Sequence, residues 1–411
     1  MKIAVLSDLH FGYAYNLELE NDSFDNAEEA IDKALDSDLI LICGDVFDIR
    51  APKTHTWAKA LKILSKPLLK ANPGTKLVGC SKELKEISKR TVSHIPVVGI
   101  HGNHERLIRS EQNTVEALEN AGIMIHLHLN TIVFEKDGIK VAIHGMSSVP
   151  ERYAKDVLYQ WNPQPLKDCF NILVFHQNIE PFVFSPIEPP TLSISTLPKG
   201  FDMIIDGHIH THTMEQLGST KLVIPGSTVI TQFQRSESEI EKAVTQIIVG
   251  KDARVDFIAL EGARKFFYEE IELDNLPLHD IVEKKISDIL FGNKFSKKPV
   301  IRIKLRGKQI VNDREISNIA LKYSNKAVVL FVKDIESPEM AESIELLRNL
   351  KEQKLSVEEI GLHILKKNLD ELSFEPSFDN HDIFALLSED ETDTAFNMLV
   401  GEQKSLNQFG R

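Results

Sequence analysis

Cysteine is scarce in this sequence. The 411 residues include only three, Cys43, Cys80 and Cys169, and these lie far apart. An odd number of scattered cysteines argues against a disulfide framework and against a metal site built from thiolates. We therefore expect a reducing compartment, the cytoplasm, with association with the nucleoid if the source is a prokaryote.

Long hydrophobic runs are also missing. No apolar stretch approaches the roughly 20 residues that a transmembrane helix needs, so we expect no insertion into a membrane. The opening residues, MKIAVLSDLHFG, contain too short an apolar run for a secretory signal. They are typical of a first, buried β-strand.

Positive charge is in deficit, since the chain carries a net charge of −13. Residues 338–411 contain 16 acidic and 7 basic side chains, a net of −9, so the first 337 residues carry only −4. This balance argues against a general electrostatic attraction to nucleic acid, which requires lysine and arginine against the phosphates.

Short apolar runs alternate with amphipathic stretches, and this pattern predicts an α/β fold. The sequence Lys136-Asp137-Gly138 predicts a hairpin, so part of the sheet should be antiparallel. Strands are predicted at residues 3–7, 39–43, 97–101, 132–134, 140–144, 172–175, 203–206, 221–224, 243–249 and 254–260, and helices at residues 25–35, 55–69, 82–89, 111–121 and 151–160.

The pattern changes along the chain, and it predicts three regions: residues 1–262, a small α/β domain at 263–336, and a helical region at 337–411. The small domain should contain strands at residues 267–273, 300–305 and 328–333 and helices at 278–290 and 313–323. The last region should contain short helices at residues 339–354, 357–368, 383–387 and 392–400. Such helices rarely form a core alone and more often dock onto another structure.

Five strands of the first region are followed by side chains that can bind metal. Sites in α/β proteins form outside the carboxyl ends of the strands, so these clusters are expected to converge. The clusters are Asp8-Leu9-His10, Gly44-Asp45-Val46-Phe47-Asp48, Gly102-Asn103-His104-Glu105, His176 and Gly207-His208-Ile209-His210.

The ligand types in these clusters indicate a pair of divalent metals. Carboxylate and imidazole together favour Mn, Fe or Zn over Ca, which prefers oxygen alone. The amide of Asn103 is a weak ligand that suits a two-metal site with a bridging carboxylate. Gly44, Gly102 and Gly207 are expected to let the backbone turn sharply beneath the ions.

The order of the clusters resembles the signature of calcineurin-like metallophosphoesterases, DxH, GDxxD, GNH[DE], H and GHxH. All five blocks occur in order between Asp8 and His210. The resemblance implies a sandwich of two mixed β-sheets flanked by helices. Here a small α/β capping domain and a helical C-terminal tail would follow it.

The same resemblance implies roles for individual residues. His104 would not bind metal; it would stabilise charge on the phosphate and protonate the leaving oxygen, while a water activated by the ions attacks. Asp48, His101 and His144 are candidates to orient ligands or contact substrate, although Asp48 could instead cap a turn. One ion would be held by Asp8, His10, Asp45 and His210, and the other by Asp45, Asn103, His176 and His208.

Further stretches resemble the SbcD/Mre nucleases of DNA double-strand-break repair. They are SDLHFGY, GDVFDIRAPK, IxGNHE and Ile224-Pro225-Gly226-Ser227. This resemblance implies a Mn-dependent 3′–5′ exonuclease and single-strand endonuclease that acts on DNA ends. It also implies a homodimer and a partner, a coiled-coil ABC ATPase of the Rad/SbcC type, bound through the C-terminal helices.

Two features depart from that pattern. Some members carry histidine where this chain has Asp48, and that histidine is associated with exonuclease activity, so the balance between exonuclease and endonuclease action stays open. Residues 66–92 form a longer link than usual between the second and third motifs. We expect a surface insertion there.

One predicted strand of the small domain carries alternating basic residues. Arg302, Lys304 and Arg306 should share one face, with Lys297, Lys298 and Lys308 flanking them. A row of cations suits a phosphate backbone, although a solvated basic face would have the same pattern.

The tail carries an apolar stripe at helical spacing. It would either pack on the chain's own core or form the ATPase-binding surface that the resemblance implies. Its members are Ile360, Ile364, Leu365, Leu369, Phe384, Leu387, Phe396 and Leu399.

Two other functions are compatible with the motifs. One is a stand-alone phosphodiesterase acting on small nucleotides or phosphoproteins, which would have no need of a capping domain or a docking tail. The other is a non-enzymatic scaffold with a degenerate metal site. The complete set of ligands argues against a scaffold.

Overall fold

The fold is taken from a computed structural model of the chain. It describes residues 1–14, 17–106, 112–182, 192–250, 252–273, 277–307, 311–335, 361–366, 379–388 and 398. Within these ranges no helix is both long enough and apolar enough to cross a lipid bilayer.

The described residues form short strands and helices in alternation over most of the chain. The strands are β1 (Lys2–Leu6), β2 (Leu39–Cys43), β3 (Lys76–Cys80), β4 (Val97–Ile100), β5 (Ile125–His126), β6 (Asn130–Lys136), β7 (Ile139–Met146), β8 (Phe170–Phe175), β9 (Ile179–Glu180), β10 (Leu192–Ser193), β11 (Met203–Asp206), β12 (Thr213–Leu217), β13 (Thr220–Ile224), β14 (Ala243–Ile248), β15 (Arg254–Ala259), β16 (Phe266–Leu273), β17 (Val300–Gly307) and β18 (Val328–Ile335). The α-helices are α1 (Asp22–Ala34), α2 (Thr54–Leu64), α3 (Lys89–Val92), α4 (Thr114–Asn120), α5 (Glu151–Trp161), α6 (Arg235–Glu239), α7 (Leu278–Leu290), α8 (Asp313–Tyr323) and α9 (Asn380–Ser388).

Two large mixed sheets dominate the structure. The six-stranded sheet has the order β15-β14-β1-β2-β4-β5, with β1, β2, β4 and β5 parallel and β14 antiparallel to both its neighbours. The seven-stranded sheet has the order β12-β13-β11-β8-β7-β6-β3, with the strands from β13 to β7 parallel and the others antiparallel. Smaller sheets pair β10 with β9 and order the last three strands as β16-β17-β18. The predicted fold class, mixed sheets flanked by helices, is confirmed.

Alternate side chains along each strand enter different cores, because successive side chains point to opposite faces of a sheet. Ile3 and Val5 of β1 pack with Ile143 and Val174 in a core between the two sheets. The intervening Ala4 and Leu6 pack instead against helices α1, α2 and α4. A further core places α5 against the outer face of the seven-stranded sheet. The result is a helix–sheet–sheet–helix sandwich.

Most predicted elements of residues 1–262 are found with boundaries shifted by a few residues. The predicted hairpin is confirmed: β6 and β7 pair through a turn in which Asp137 and Gly138 have φ of 51° and 77°, as a type I′ turn requires. The helix predicted at residues 82–89 is wrong. These residues contain a 3-10 turn at Leu84–Glu86, and α3 begins only at Lys89.

The surface insertion expected at residues 66–92 is wrong, because these residues contribute β3, which completes one edge of the seven-stranded sheet. This strand was not predicted, because it is short, partly exposed and interrupted by glycine and so lacks a continuous apolar run. The short strands β5, β9, β10 and β12 were missed as well.

The described part of the C-terminal region is small. Helix α9 covers the helix predicted at residues 383–387, and residues 361–366 are helical within the one predicted at 357–368. The helix predicted at 339–354 lies outside the described residues, as does all of the one at 392–400 except residue 398. The predicted domain boundaries near residues 262 and 336 stay a prediction.

The core between the sheets supplies a stability test. Ile205 on β11 is fully buried there, so Ile205→Ala should lower the free energy of unfolding by about 2–5 kcal/mol through lost burial and a residual cavity. Ile248→Ala on β14, whose side chain is 40% exposed, should change it by no more than about 0.5 kcal/mol. Urea unfolding measures both, and equal losses would contradict the assigned core.

Candidate metal centre

The five polar clusters converge at one end of the sandwich. Three of them follow β1, β2 and β4, which are neighbours in the six-stranded sheet, and two follow β8 and β11, which are neighbours in the seven-stranded sheet. All five lie beyond the carboxyl ends of parallel strands. The two sheets therefore both supply side chains to a single site.

Four side chains surround one possible ion position. His10 Nε2 lies 3.3 Å from His210 Nε2. Asp8 Oδ1 lies 3.5 Å from His210 Nε2 and 3.9 Å from His10 Nε2. Asp45 Oδ2 lies 4.0 Å from His10 Nε2. These are the residues that the motif resemblance implies for the first ion.

A second group of donors adjoins the first. Asn103 Oδ1 lies 3.1 Å from both His176 Nε2 and His208 Nδ1, and His176 Nε2 lies 3.3 Å from Asp45 Oδ2. Asp45 Oδ2 thus borders both groups. Its other oxygen, Oδ1, accepts a hydrogen bond from the backbone N–H of His104 at 3.0 Å. This hydrogen bond fixes the carboxylate so that Oδ2 faces the other donors.

The spacing and burial of these donors fit divalent ions. Two donors bound at about 2.0–2.2 Å to one ion lie roughly 3–3.5 Å apart, close to several of the distances here. Both carboxylate oxygens of Asp8 are buried, and among the described residues neither has a hydrogen-bond partner. An unpartnered buried carboxylate is costly in free energy, and a cation shared with the surrounding imidazoles would satisfy it.

The backbone beneath the donors is strained. Asp8, His10, Asp45 and His208 all have positive φ, between 45° and 62°, in the left-handed region that residues other than glycine rarely adopt. Each such residue costs of order 1–3 kcal/mol and persists only when its surroundings hold it there. This left-handed backbone conformation orients four of the seven predicted ligands toward the site.

All three glycines of the motifs are required, for different reasons. At Gly207, a Cβ would lie 2.1 Å from the backbone carbonyl oxygen of Cys43, so close approach of another strand excludes a side chain. Gly44 has a φ of 95°, and a Cβ there would lie 2.4 Å from His176 Nδ1. Gly102 has an ordinary φ of −95°, so the expected sharp turn is absent. A Cβ at Gly102 would instead lie 2.0 Å from Asp45 Oδ1, and close approach of the carboxylate is what excludes a side chain.

The protonation of the site follows from its crowded charges. Burial raises the pKa of Asp45, but the charge of His176 and its hydrogen bond outweigh burial and hold that pKa well below its ordinary value. Burial lowers the pKa of His176, but Asp45 and Asp8 raise it to about 10. Burial and the charge of His176 together lower the pKa of His208 to about 3. In the metal-free protein, the proton on His176 balances the buried carboxylates.

His104 is more accessible than five of the predicted ligands, Asp8, His10, Asp45, His176 and His210, whose side chains are at most 7% exposed. Its side chain is 38% exposed, whereas that of Asp45 is 2% exposed. His104 Nδ1 lies 2.6 Å from the carbonyl oxygen of Asp48, and Nε2 lies 3.9 Å from Asp45 Oδ2. The ring therefore stands at the edge of the donor cluster, where a substrate can reach it.

Asp48, His101 and His144 have distinct surroundings. Asp48 Oδ1 lies 3.2 Å from His10 Nδ1, the ring nitrogen opposite the one that faces the ligands. His101 Nδ1 lies 3.0 Å from His126 Nε2. His144 contacts Thr131 Oγ1 at 2.9 Å and Asn171 Oδ1 at 3.3 Å. Of the three, Asp48 is placed to orient a ligand directly.

One structural residue of the site had no role in the sequence analysis. Glu105 is fully buried, and its carboxylate accepts the backbone N–H of Phe47 at 2.8 Å and that of Gly102 at 2.7 Å. It thereby ties the loop after β2 to the loop after β4. Glutamate at the last position of GNHE was the signal, but its second partner, Phe47, lies 58 residues away in sequence.

The basic residues of β17 alternate with buried ones, as predicted. Ile301, Ile303 and Leu305 are buried, and Arg302, Lys304 and Arg306 lie on the other face. Arg302 Nη1 donates to the backbone carbonyls of Gln232 at 3.1 Å and Phe233 at 2.8 Å. Arg306 Nε lies 3.4 Å from Asp334 Oδ2.

The flanking lysines contact the acidic segment around α1. Lys297 Nζ lies 2.9 Å from Asp25 Oδ2, and Lys298 Nζ lies 2.7 Å from Glu18 Oε1. These partners were not anticipated from sequence. Lys308 lies outside the described residues.

Comparison with known families bears on this site directly. The family model of calcineurin-like phosphoesterases matches residues 1–212. The chain belongs to the calcineurin-like phosphoesterase family. Residues 1–212 contain all five clusters of the calcineurin-like phosphoesterase signature. Groups of carboxylates and imidazoles that could hold a metal occur within them, in keeping with the divalent-metal chemistry of the family.

Curated proteins similar to this chain include double-strand break repair proteins. The protein mus-23 of Neurospora crassa is 26% identical over 307 residues, which cover 66% of this chain and 41% of mus-23. MRE11 of Encephalitozoon cuniculi is 25% identical over 312 residues, covering 71% and 52%. Mre11 of Methanopyrus kandleri is 27% identical over 247 residues, covering 55% and 48%. The chain spans about half the length of these curated relatives.

The protonation of His176 predicts how metal binding depends on pH. A divalent ion can bind His176 Nε2 only after the ring loses that proton. Because the pKa is raised to about 10, we expect affinity for Mn²⁺ to increase as the pH rises toward that value, with about one proton or more released per chain at neutral pH. Calorimetry in two buffers of different ionisation enthalpy measures the release, and identical heats in both would contradict it.

Proposed function

We propose that the chain is a two-metal phosphodiesterase, with Mn²⁺ as the preferred ion, that cleaves DNA at double-strand-break ends in the cytoplasm. The observation that carries the proposal is the convergence of Asp8, Asp45 and five further buried or half-buried donors beside the more exposed His104. The proposed metal ligands are the seven residues implied by the motifs: Asp8, His10, Asp45, Asn103, His176, His208 and His210.

The site is suited to phosphoryl chemistry. When bound, two divalent ions neutralise charge on a phosphate and lower the pKa of an attacking water. The protein's part is to hold the donors in place through the strained loops and through Asp45, whose Oδ2 borders both groups. Asp48 would orient His10 through its Nδ1.

His104 is the proposed proton donor. A carbonyl oxygen only accepts, so the contact with Asp48 O places a proton on His104 Nδ1. That leaves Nε2 directed toward the donor cluster, 3.9 Å from Asp45 Oδ2. A protonated Nε2 could stabilise a phosphate oxygen and deliver its proton to the leaving group.

DNA is favoured as the substrate over small nucleotides and phosphoproteins. The curated relatives described above are named as double-strand break repair proteins. The chain also continues well beyond the matched residues 1–212, into a proposed capping region (residues 263–336) whose strand β17 carries Lys304 and Arg306 on its outer face. We propose both 3′–5′ exonuclease and single-strand endonuclease activity.

The principal test is cleavage of linear, end-labelled DNA with Mn²⁺. His104→Ala should reduce the rate by about 10²–10⁴-fold, the usual contribution of a proton-transferring group, without weakening Mn²⁺ binding measured by calorimetry. His55→Ala is the matched control, since His55 is 52% exposed and pairs with Glu20 outside the site; it should cleave like the unmodified chain.

The alternatives give different results in the same assay. If the unmodified chain leaves DNA intact but hydrolyses a small aryl phosphodiester, the substrate is a small nucleotide or phosphoprotein, unless adding the partner ATPase restores DNA cleavage. If it binds Mn²⁺ and hydrolyses neither substrate even with the ATPase, a non-enzymatic scaffold is the correct interpretation.

We further propose that the C-terminal region binds a coiled-coil ABC ATPase of the Rad/SbcC type and that the chain is a homodimer. Ile364 and Leu365 of the apolar stripe are half-buried, and Leu387 of α9 is 47% exposed. Leu69, which follows α2 and is 80% exposed, offers apolar surface for a second copy. Ile360, Leu369, Phe396 and Leu399 lie outside the described residues.

A chain that ends after residue 335 tests the role of this region. It should retain hydrolysis of a small aryl phosphodiester, because all the proposed ligands precede that point, and should lose measurable binding to the ATPase in a pull-down. Full binding by the shortened chain would contradict the assignment of the tail.

A further inference from the structure

Arg302 is directed toward the protein's own backbone. It lies on the outer face of β17, but its Nη1 donates to two successive carbonyls, those of Gln232 and Phe233. Its guanidinium also lies 6.0 Å from the centre of the Tyr268 ring. These two carbonyls belong to a short segment, residues 231–233, that we call the 231–233 turn. A guanidinium that bridges two main-chain carbonyls fixes the position of the segment that carries them.

The 231–233 turn is held from several sides. Glu237 Oε2 accepts the N–H groups of Gln232 and Phe233, both at 2.9 Å. Phe233 has a φ of 52°, a strained value for an aromatic residue. Tyr13 donates its hydroxyl to the carbonyl of Thr231 at 3.1 Å. Strained backbone persists only where its surroundings hold it, and these hydrogen bonds hold the 231–233 turn in one conformation.

The turn directly contacts a proposed metal ligand. Thr231 Oγ1 lies 2.9 Å from His210 Nδ1, and His210 Nε2 faces Asp8 and His10 at 3.5 Å and 3.3 Å. If Nδ1 carries the hydrogen and donates to Thr231, Nε2 presents its lone pair to the ion. Such partners set the tautomer and the orientation of a metal-binding imidazole.

The main chain of His210 is anchored separately. Lys242 Nζ, which is buried, donates to His210 O at 3.1 Å, to Ser227 Oγ at 2.7 Å and to Glu237 Oε1 at 2.7 Å. The backbone of His210 is therefore held without Arg302. What the 231–233 turn adds is control of the ring.

We propose that Arg302 and Thr231 are positioning residues for His210. Arg302 fixes the 231–233 turn, and Thr231 at its start fixes the imidazole, so a strand of the capping region influences one of the two metal sites. This inference rests on the proposed function, because it requires that His210 bind metal. It assigns Arg302 a role other than contact with DNA phosphate.

The test compares Mn²⁺ binding by the full-length chain and four variants, using calorimetry. Thr231→Val removes the hydroxyl and Arg302→Ala removes the anchor, and each should weaken one of the two Mn²⁺ sites by about 10–100-fold. Thr231→Ser keeps the hydroxyl and should restore the affinity. Lys304→Ala, on the same face of β17, is the matched control and should bind Mn²⁺ like the unmodified chain.

The double variant shows whether the two residues act together. If Arg302 acts through Thr231, the combination should bind Mn²⁺ no more weakly than Thr231→Val alone. Additive losses would overturn the proposed connection. Thermal unfolding in a chelator identifies any variant that fails to fold, and Thr231→Ser then provides the decisive comparison.

DNA binding in a chelator separates this proposal from a phosphate contact. Arg302→Ala should leave the salt dependence of DNA affinity unchanged if the residue positions His210. A reduction in the salt slope by about one, with Mn²⁺ affinity unaffected, would identify a phosphate contact and overturn the inference. Failure of the unmodified chain to bind two Mn²⁺ ions would instead overturn the proposed metal centre itself.

Discussion

Two buried carboxylates determine the character of this protein. Asp8 and Asp45 are almost completely removed from solvent and lie among five histidines. Burying negative charge is unfavourable unless a cation or hydrogen-bond donors compensate. In the metal-free protein, the proton of His176 provides part of that compensation. A pair of divalent ions would compensate the buried negative charge more completely. The same ions would then stabilise the folded site and supply its chemistry.

The sandwich architecture makes this concentration of charge possible. Fully apolar strands such as β2, LILIC, support the loops from a rigid core on both faces. Glu105 ties two of the loops together through backbone N–H groups. Residues in the left-handed region can then be maintained, because the surrounding hydrogen bonds and packing offset the strain. The site is rigid where donors must be placed and accessible at His104.

The capping region shows how one residue pattern allows different roles. Alternating basic residues on β17 resemble a DNA-binding row, and the alternation itself is present. Yet Arg302 binds two main-chain carbonyls, Lys297 and Lys298 pair with acidic residues near α1, and Arg306 lies near Asp334. Charge along a strand indicates which face is polar. It does not identify the acceptor, because acceptors come from elements distant in sequence.

The sequence by itself determined most of the longer strands and helices of residues 1–262 and identified the five clusters, because apolar periodicity and motif spacing are local properties. The hairpin at Asp137-Gly138 was equally local, since two residues with positive φ suffice to specify it. Only the tertiary structure decided which donor atoms face one another, which oxygen of Asp45 lies between the groups, and that Thr231 contacts His210 across 21 residues. It also revealed the edge strand β3, whose formation depends on pairing with β6 rather than on an apolar run of its own. Distances and burial of this kind arise when segments remote in the chain pack together, and no local pattern specifies them.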